Sequence, residues 1–168
     1  NCKFTGELKV NDPYTVNTNK FGNLVCAAYK ADGPGKLIID GVEYMQTANG
    51  PTVDGELNVF ASTLDEVKTV FENGGNITLM DDITFEKITP IEPGKEVYLN
   101  LNGKTITVDE ETKSNTLIWV KDGAKLTIDG NGTINLGSVS TMAVFCPYGE
   151  LVIENGTFIR DKVTNVTN

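Results

Sequence analysis

The segment Gly123-Ala-Lys-Leu-Thr-Ile-Asp-Gly-Asn-Gly-Thr-Ile134 constrains this chain more than any other, because it comes back. Gly149-Glu-Leu-Val-Ile-Glu-Asn-Gly-Thr-Phe158 repeats it as a small residue, a charge, Leu, any residue, Ile, an acid, a Gly turn, then Thr and a large apolar residue. Gly35-Lys-Leu-Ile-Ile-Asp-Gly41 is a third copy, and the segments 75–85 and 95–106 are looser ones. Apolar lead-ins precede the three best copies, at 24–27, 117–120 and 142–145. The copies at Leu126 and Leu151 lie about 25 residues apart, a period that marks stacked repeats.

Elementary strand geometry says what such a repeat must do. Leu126 and Ile128 stand two apart, so both side chains point to one side of a strand. The Asp-Gly or Asn-Gly that follows turns the chain, and Thr133 and Ile134 open another short strand. One copy alone has nothing against which to bury its apolar side. Stacked copies set Leu126 over Leu151, Ile128 over Ile153 and Ile134 over Phe158, giving a continuous core.

This pattern resembles the right-handed parallel β-helix, the fold of pectate lyases and their relatives. It is closer still to a group of phage virion and bacterial surface proteins with runs such as Leu99-Asn-Leu-Asn-Gly-Lys-Thr-Ile106. The resemblance extends from about residue 62 to the end, with a weaker echo before it. It implies an all-β fold: a right-handed parallel β-helix (solenoid) with one N-terminal capping helix and a small preceding β-block. Residues 1–60 are expected to be a small β-module or the end of a preceding solenoid, and residues 61–168 the β-helix segment.

The helix is legible in its own right. Thr63-Leu-Asp-Glu66 has the form of a capping box, with Thr63 as N-cap and Glu66 reaching back. Leu64, Val67, Val70 and Phe71 make one apolar stripe, and Asn73-Gly74 ends it. The resemblance implies that this helix, over 62–73, covers the first rung. Further strands are expected at 6–10, 14–16, 24–28, 37–39, 42–45 and 57–60, with turns at 11–13, 33–35, 49–51 and 90–94. The loops at 109–111 and 137–141 read as solvated links between rungs, and 163–167 as the start of one more rung.

Composition narrows the chemistry. A chain of 168 residues can hold one domain with a real core, and 17 glycines with 39% apolar residues suit a β-protein with many turns. A net charge of −9 argues against nucleic acid and anionic membrane surfaces, which need clustered cations. No run is long and apolar enough to span a bilayer, and the residues given do not read as a signal peptide. The start at Asn1 leads to the expectation of a processed product or a piece of a longer protein. There is no histidine, so no Ser-His-Asp or Cys-His arrangement exists within the chain. Cys2, Cys26 and Cys146 have no zinc spacing; Cys26 and Cys146 read as buried free thiols, and a Cys2–Cys26 bridge stays open. No metal or cofactor is expected.

Each candidate for chemistry has a plain alternative. Asp81 and Asp82 are adjacent, so on a strand they point to opposite faces, and a turn is the better reading. Asp109, Glu110 and Glu111 read as a solvated loop. Asp129-Gly-Asn-Gly132 opens like a calcium loop, but Ser140 stands where the pattern wants Glu, so it reads as a β-turn. Arg160, the only arginine, is the weak candidate for a catalytic base, by resemblance to the pectate lyases. Trp119 and Tyr148 are the candidates for binding a glycan or a partner: Tyr148 follows Pro147 at a turn and could stack on a sugar ring, while core packing is the alternative for Trp119. Asn76, Asn131, Asn155 and Asn165 head glycosylation sequons, which arise readily in a Thr- and Asn-rich chain.

The expectation is therefore a structural and interaction protein, part of a virion fibre or decoration protein or of a bacterial surface protein. It would present a rigid face to glycans or partner subunits, as a homotrimer or attached to a larger assembly. The second expectation is a polysaccharide lyase or glycoside hydrolase whose catalytic rungs lie outside this piece. The absence of histidine and the lone Arg160 weigh against it. A third is a plain spacer without a ligand.

Overall fold

The computed structural model describes residues 7–10, 36–39, 42–47, 50–109, 116–137 and 142–160. The strands expected at 14–16 and 24–28, the turns at 11–13 and 33–35, the rung expected at 163–167, and Cys2, Cys26, Glu110, Glu111, Ser140 and Asn165 lie outside those residues.

The fold is mostly β, a solenoid of about three turns with one short helix among the described residues. Each turn contributes one strand to each of three sheets. The first turn is β6 (Gly75–Leu79), β7 (Ile83–Phe85) and β8 (Thr89–Ile91). The second is β9 (Glu96–Asn100), β10 (Thr105–Val108) and β11 (Thr116–Val120). The third is β12 (Lys125–Asp129), β13 (Thr133–Asn135) and β14 (Met142–Phe145). β15 (Glu150–Ile153) and β16 (Thr157–Ile159) begin a fourth.

Parallel pairing joins like strands of successive turns, in the orders β6-β9-β12-β15, β7-β10-β13-β16 and β8-β11-β14. The first sheet runs on through β5 (Glu56–Ala61), which pairs parallel with β6. Beyond β5 it takes in β4 (Gly50–Val53), β3 (Val42–Thr47), β2 (Lys36–Ile39) and β1 (Glu7–Val10).

The register matches the alignment of the repeats. Leu126 pairs with Leu151, Ile128 with Ile153 and Ile134 with Phe158. Inward columns result: Val59, Ile77, Leu99, Ile128 and Ile153 on the first sheet, and Ile83, Ile106, Ile134 and Phe158 on the second. Their members before the last strands are buried and belong to one core.

The corners between first and second sheets are stacked as well. Asn102 donates from its backbone to Asn100 Oδ1 (2.8 Å) and from Nδ2 to the Leu79 carbonyl one turn back (2.9 Å). Asn155 Nδ2 and the Gly130 N–H both donate to Asp129 Oδ1 at 2.7 Å.

The helix α1 (Leu64–Asn73) starts as its sequence says. The Glu66 N–H donates to Thr63 Oγ1 (3.3 Å), while the Glu66 carboxylate accepts from the backbone of Ser62 (2.9 Å) and Thr63 (3.1 Å). Val67, Val70 and Phe71 are buried, Leu64 packs against the same core, and α1 lies against β5 to β8. Gly74, at φ +83°, ends it, and its N–H donates to the Val70 carbonyl.

Three local expectations are corrected. Gly50 and Pro51 stand in β4, paired with β3, and not in the turn expected at 49–51. Pro90 is not in a turn but in β8, opposite Trp119. β8 is the edge strand of its sheet, and an edge can take a residue with no N–H to donate. Cys146 is a free thiol but only partly buried, because it follows β14 in the last complete turn.

Candidate functional site

The outer side of the first sheet carries the other half of the strand alternation. In β9, Val97 and Leu99 face the core, so Glu96, Tyr98 and Asn100 face out. Register then places Asn58, Asn76, Tyr98 and Thr127 side by side on successive strands. Adjacent strands lie about 4.8 Å apart, so these side chains form one polar row around an aromatic ring. Over this row runs a groove of about 710 Å³, lined among others by Glu56, Asn76, Lys95, Tyr98, Lys125 and Thr127. Gly55, Gly74, Gly75 and Gly94 also line it, so part of its depth is the absence of side chains. At Gly75 a Cβ would stand 2.6 Å from the Leu57 carbonyl oxygen, and only glycine fits.

Tyr98 is held from outside the groove. Its hydroxyl donates to the Asp129 carboxylate, which also accepts from Asn155 and Gly130. These donors, the Tyr98 hydroxyl first, hold the Asp129 carboxyl below its ordinary range. The same bond, with burial and the charges of Asp129 and Glu154, pushes the Tyr98 phenol up to about 12. A raised phenol contributes stability that is whole below the unfolded value and is lost as pH climbs through the folded one. Tyr98 is therefore expected to ionise near pH 12. In an Asp129→Asn variant it should ionise earlier. A phenolate absorbance titration of the two proteins checks this, and superimposable curves would refute the link.

Charge around the groove is paired across strands. Lys125 Nζ lies 2.8 Å from Glu150 and opposite Glu96 in register, and Glu150 raises the Lys125 ammonium above its ordinary range.

The residues singled out from the sequence lie elsewhere. Trp119 is on the outside of the third sheet, 37% exposed, between Pro90 and Phe145 in register. It is not in the core, because Ile118 and Val120 on either side of it point inward. Lys121 Nζ sits 5.5 Å from its ring centroid and 2.7 Å from Glu92. Tyr148 is 77% exposed in the turn between β14 and β15. Neither residue lines the Tyr98 groove.

Arg160 is exposed and follows Ile159, which pairs with Asn135. Beside it on the earlier turns stand Leu136, Val108 and Phe85, an apolar column. Asp81 and Asp82 are exposed after β6, and Asp82 Oδ1 accepts the Thr105 N–H at 2.7 Å, tying one turn to the next. Asp129 lies at the β12 corner, as a turn residue would. Among the described residues no three acids or cysteines gather as a metal site would require.

Tyr98 did not stand out in the sequence. The signal was present: aligning the segment 95–106 with the copy at Leu126 puts Tyr98 beside Thr127 on the outward side. Comparison with protein-family models, with curated proteins and with solved structures finds no match to this chain.

Proposed function

We propose that the chain is a non-enzymatic structural and interaction protein. In this reading it is a rigid right-handed solenoid of the kind borne by virion fibres, decoration proteins or bacterial surfaces. Its side faces glycans, its first rung is closed by α1, and its last rung joins another subunit. The observation that carries the reading is the stack itself: parallel sheets repeat turn on turn around one continuous core, a rigid rod with broad outer faces. Leu126, Ile128 and Ile134 are fully buried, whereas their register partners Leu151, Ile153 and Phe158 are 36%, 51% and 40% exposed. An apolar rung with open strand edges is a template for another chain. The buried stripe of α1 supports closure at the opposite end. Further turns of the same chain, association into a homotrimeric fibre, or attachment to a larger shell would cover that rung. The reading as a non-enzyme is supported by the apolar column beside Arg160.

Light scattering behind a sizing column tests it. The chain of 18.2 kDa is expected to run as an oligomer, and Ile153→Lys with Leu151→Lys should shift it toward the monomer while circular dichroism still shows a folded β-protein. A monodisperse monomer, stable at high concentration, would overturn the assembly reading.

A further inference from the structure

We infer that the groove over Tyr98 is a binding site for a neutral oligosaccharide chain. The inference deepens, and rests on, the reading of the solenoid's side as a glycan-presenting face. A volume of about 710 Å³ lies within the range of ligand sites, roughly 300–1,000 Å³. A pyranose ring has an apolar C–H face and a rim of hydroxyls. Tyr98 offers an aromatic ring to the face, and its hydroxyl is already committed to Asp129, so the ring is oriented before a ligand arrives. Asn76 and Thr127, its register neighbours on either side, offer an amide and a hydroxyl to the rim. All three stand on strands, which hold such groups more rigidly than loops.

Charge selects the class. Glu56 and Glu96 balance Lys95 and Lys125 along the groove, so it has no net preference for an anion. The net charge of −9 on the whole chain repels polyanions at long range. Both point to neutral sugars rather than uronic acids.

Calorimetric titration of the full chain decides the matter. The probes are cellohexaose, xylohexaose, mannohexaose, maltohexaose and N-acetylchitohexaose, with hexagalacturonate as the acidic arm. At least one neutral probe is expected to bind. Tyr98→Ala should weaken it by about tenfold or more, and Tyr98→Phe, which keeps the ring but loses the bond that orients it, should weaken it less. Thr127→Arg, an outward substitution that fills the groove without touching the core, should weaken it as well, which guards against a misfolded Tyr98→Ala. The single tryptophan is a built-in control, because it lies on another sheet: its fluorescence should not change on binding, and Trp119→Ala should bind as the parent does.

Failure of every neutral probe, binding only of hexagalacturonate, or binding that survives both Tyr98→Ala and Thr127→Arg would overturn the inference. So would loss of binding in Trp119→Ala, which would move the site to the third sheet. The light-scattering mass is independent of these outcomes, so the assembly half of the proposed function stands or falls separately.

Discussion

Ile128→Asp is expected to abolish the folded solenoid, while Thr127→Asp, one residue away, leaves it folded. Ile128 is fully buried between Leu99 on the preceding turn and Ile153 on the next. Removing its side chain from the core forfeits roughly 1.5–3 kcal/mol of burial. Placing an unpaired carboxylate there costs several kcal/mol more, or forces the group to be protonated. Together these take up much of the roughly 5–15 kcal/mol by which a domain is stable. Thr127 faces out between Tyr98 and Val152, where a carboxylate keeps its water. Circular dichroism melting and soluble yield compare the two, and equal melting temperatures would show that the inward side is wrongly assigned. Ile153→Asp should be the milder change, because Ile153 is already half exposed.

Gly132→Ala is expected to be the most damaging single-methyl change in the solenoid. A Cβ at Gly132 would stand 2.3 Å from the Lys104 carbonyl oxygen and 2.4 Å from Leu101 Cβ. Neither obstacle can swing away. The Lys104 carbonyl accepts the Thr133 N–H at 2.9 Å, and the Lys104 N–H donates to the Leu101 carbonyl at 2.8 Å. The corner of the third turn therefore sits directly on the corner of the second, and the methyl must push them apart. Overpacking of this kind costs about 3 kcal/mol. For a chain of this length that is roughly a 6–12 °C loss in melting temperature. Gly103→Ala is the control. Gly103 has a positive φ of +73° but nothing within 4 Å of a Cβ, so only the backbone strain of about 1–2 kcal/mol applies. Thermal melts that rank Gly103→Ala as the worse variant would contradict the stacked-corner geometry.

Much of the fold was legible because its rules are local. Alternation in Lys-Leu-Thr-Ile-Asp at 125–129 decides which side chains face in, and the Asp-Gly that follows bends the chain into the next sheet. Repetition of that unit dictates stacking, since no copy can bury its own apolar side. The capping box at Thr63 and Glu66 needs only four residues to define a helix start.

What the sequence could not decide depends on neighbours far along the chain. Whether Pro90 can occupy a strand depends on β8 being an edge, a property of sheet order. Trp119 is as apolar as its neighbours, and the phase of β11 alone turns it outward while Ile118 and Val120 turn in. Tyr98 gains its significance from Asp129, 31 residues later, and from Asn76 and Thr127, which register brings alongside. Ile128 and Ile153 occupy the same place in the same motif, yet one is buried and the other half exposed. Local pattern determines the direction of a side chain. Only the tertiary stack supplies the next turn that takes it out of water, because burial is a property of what lies on top.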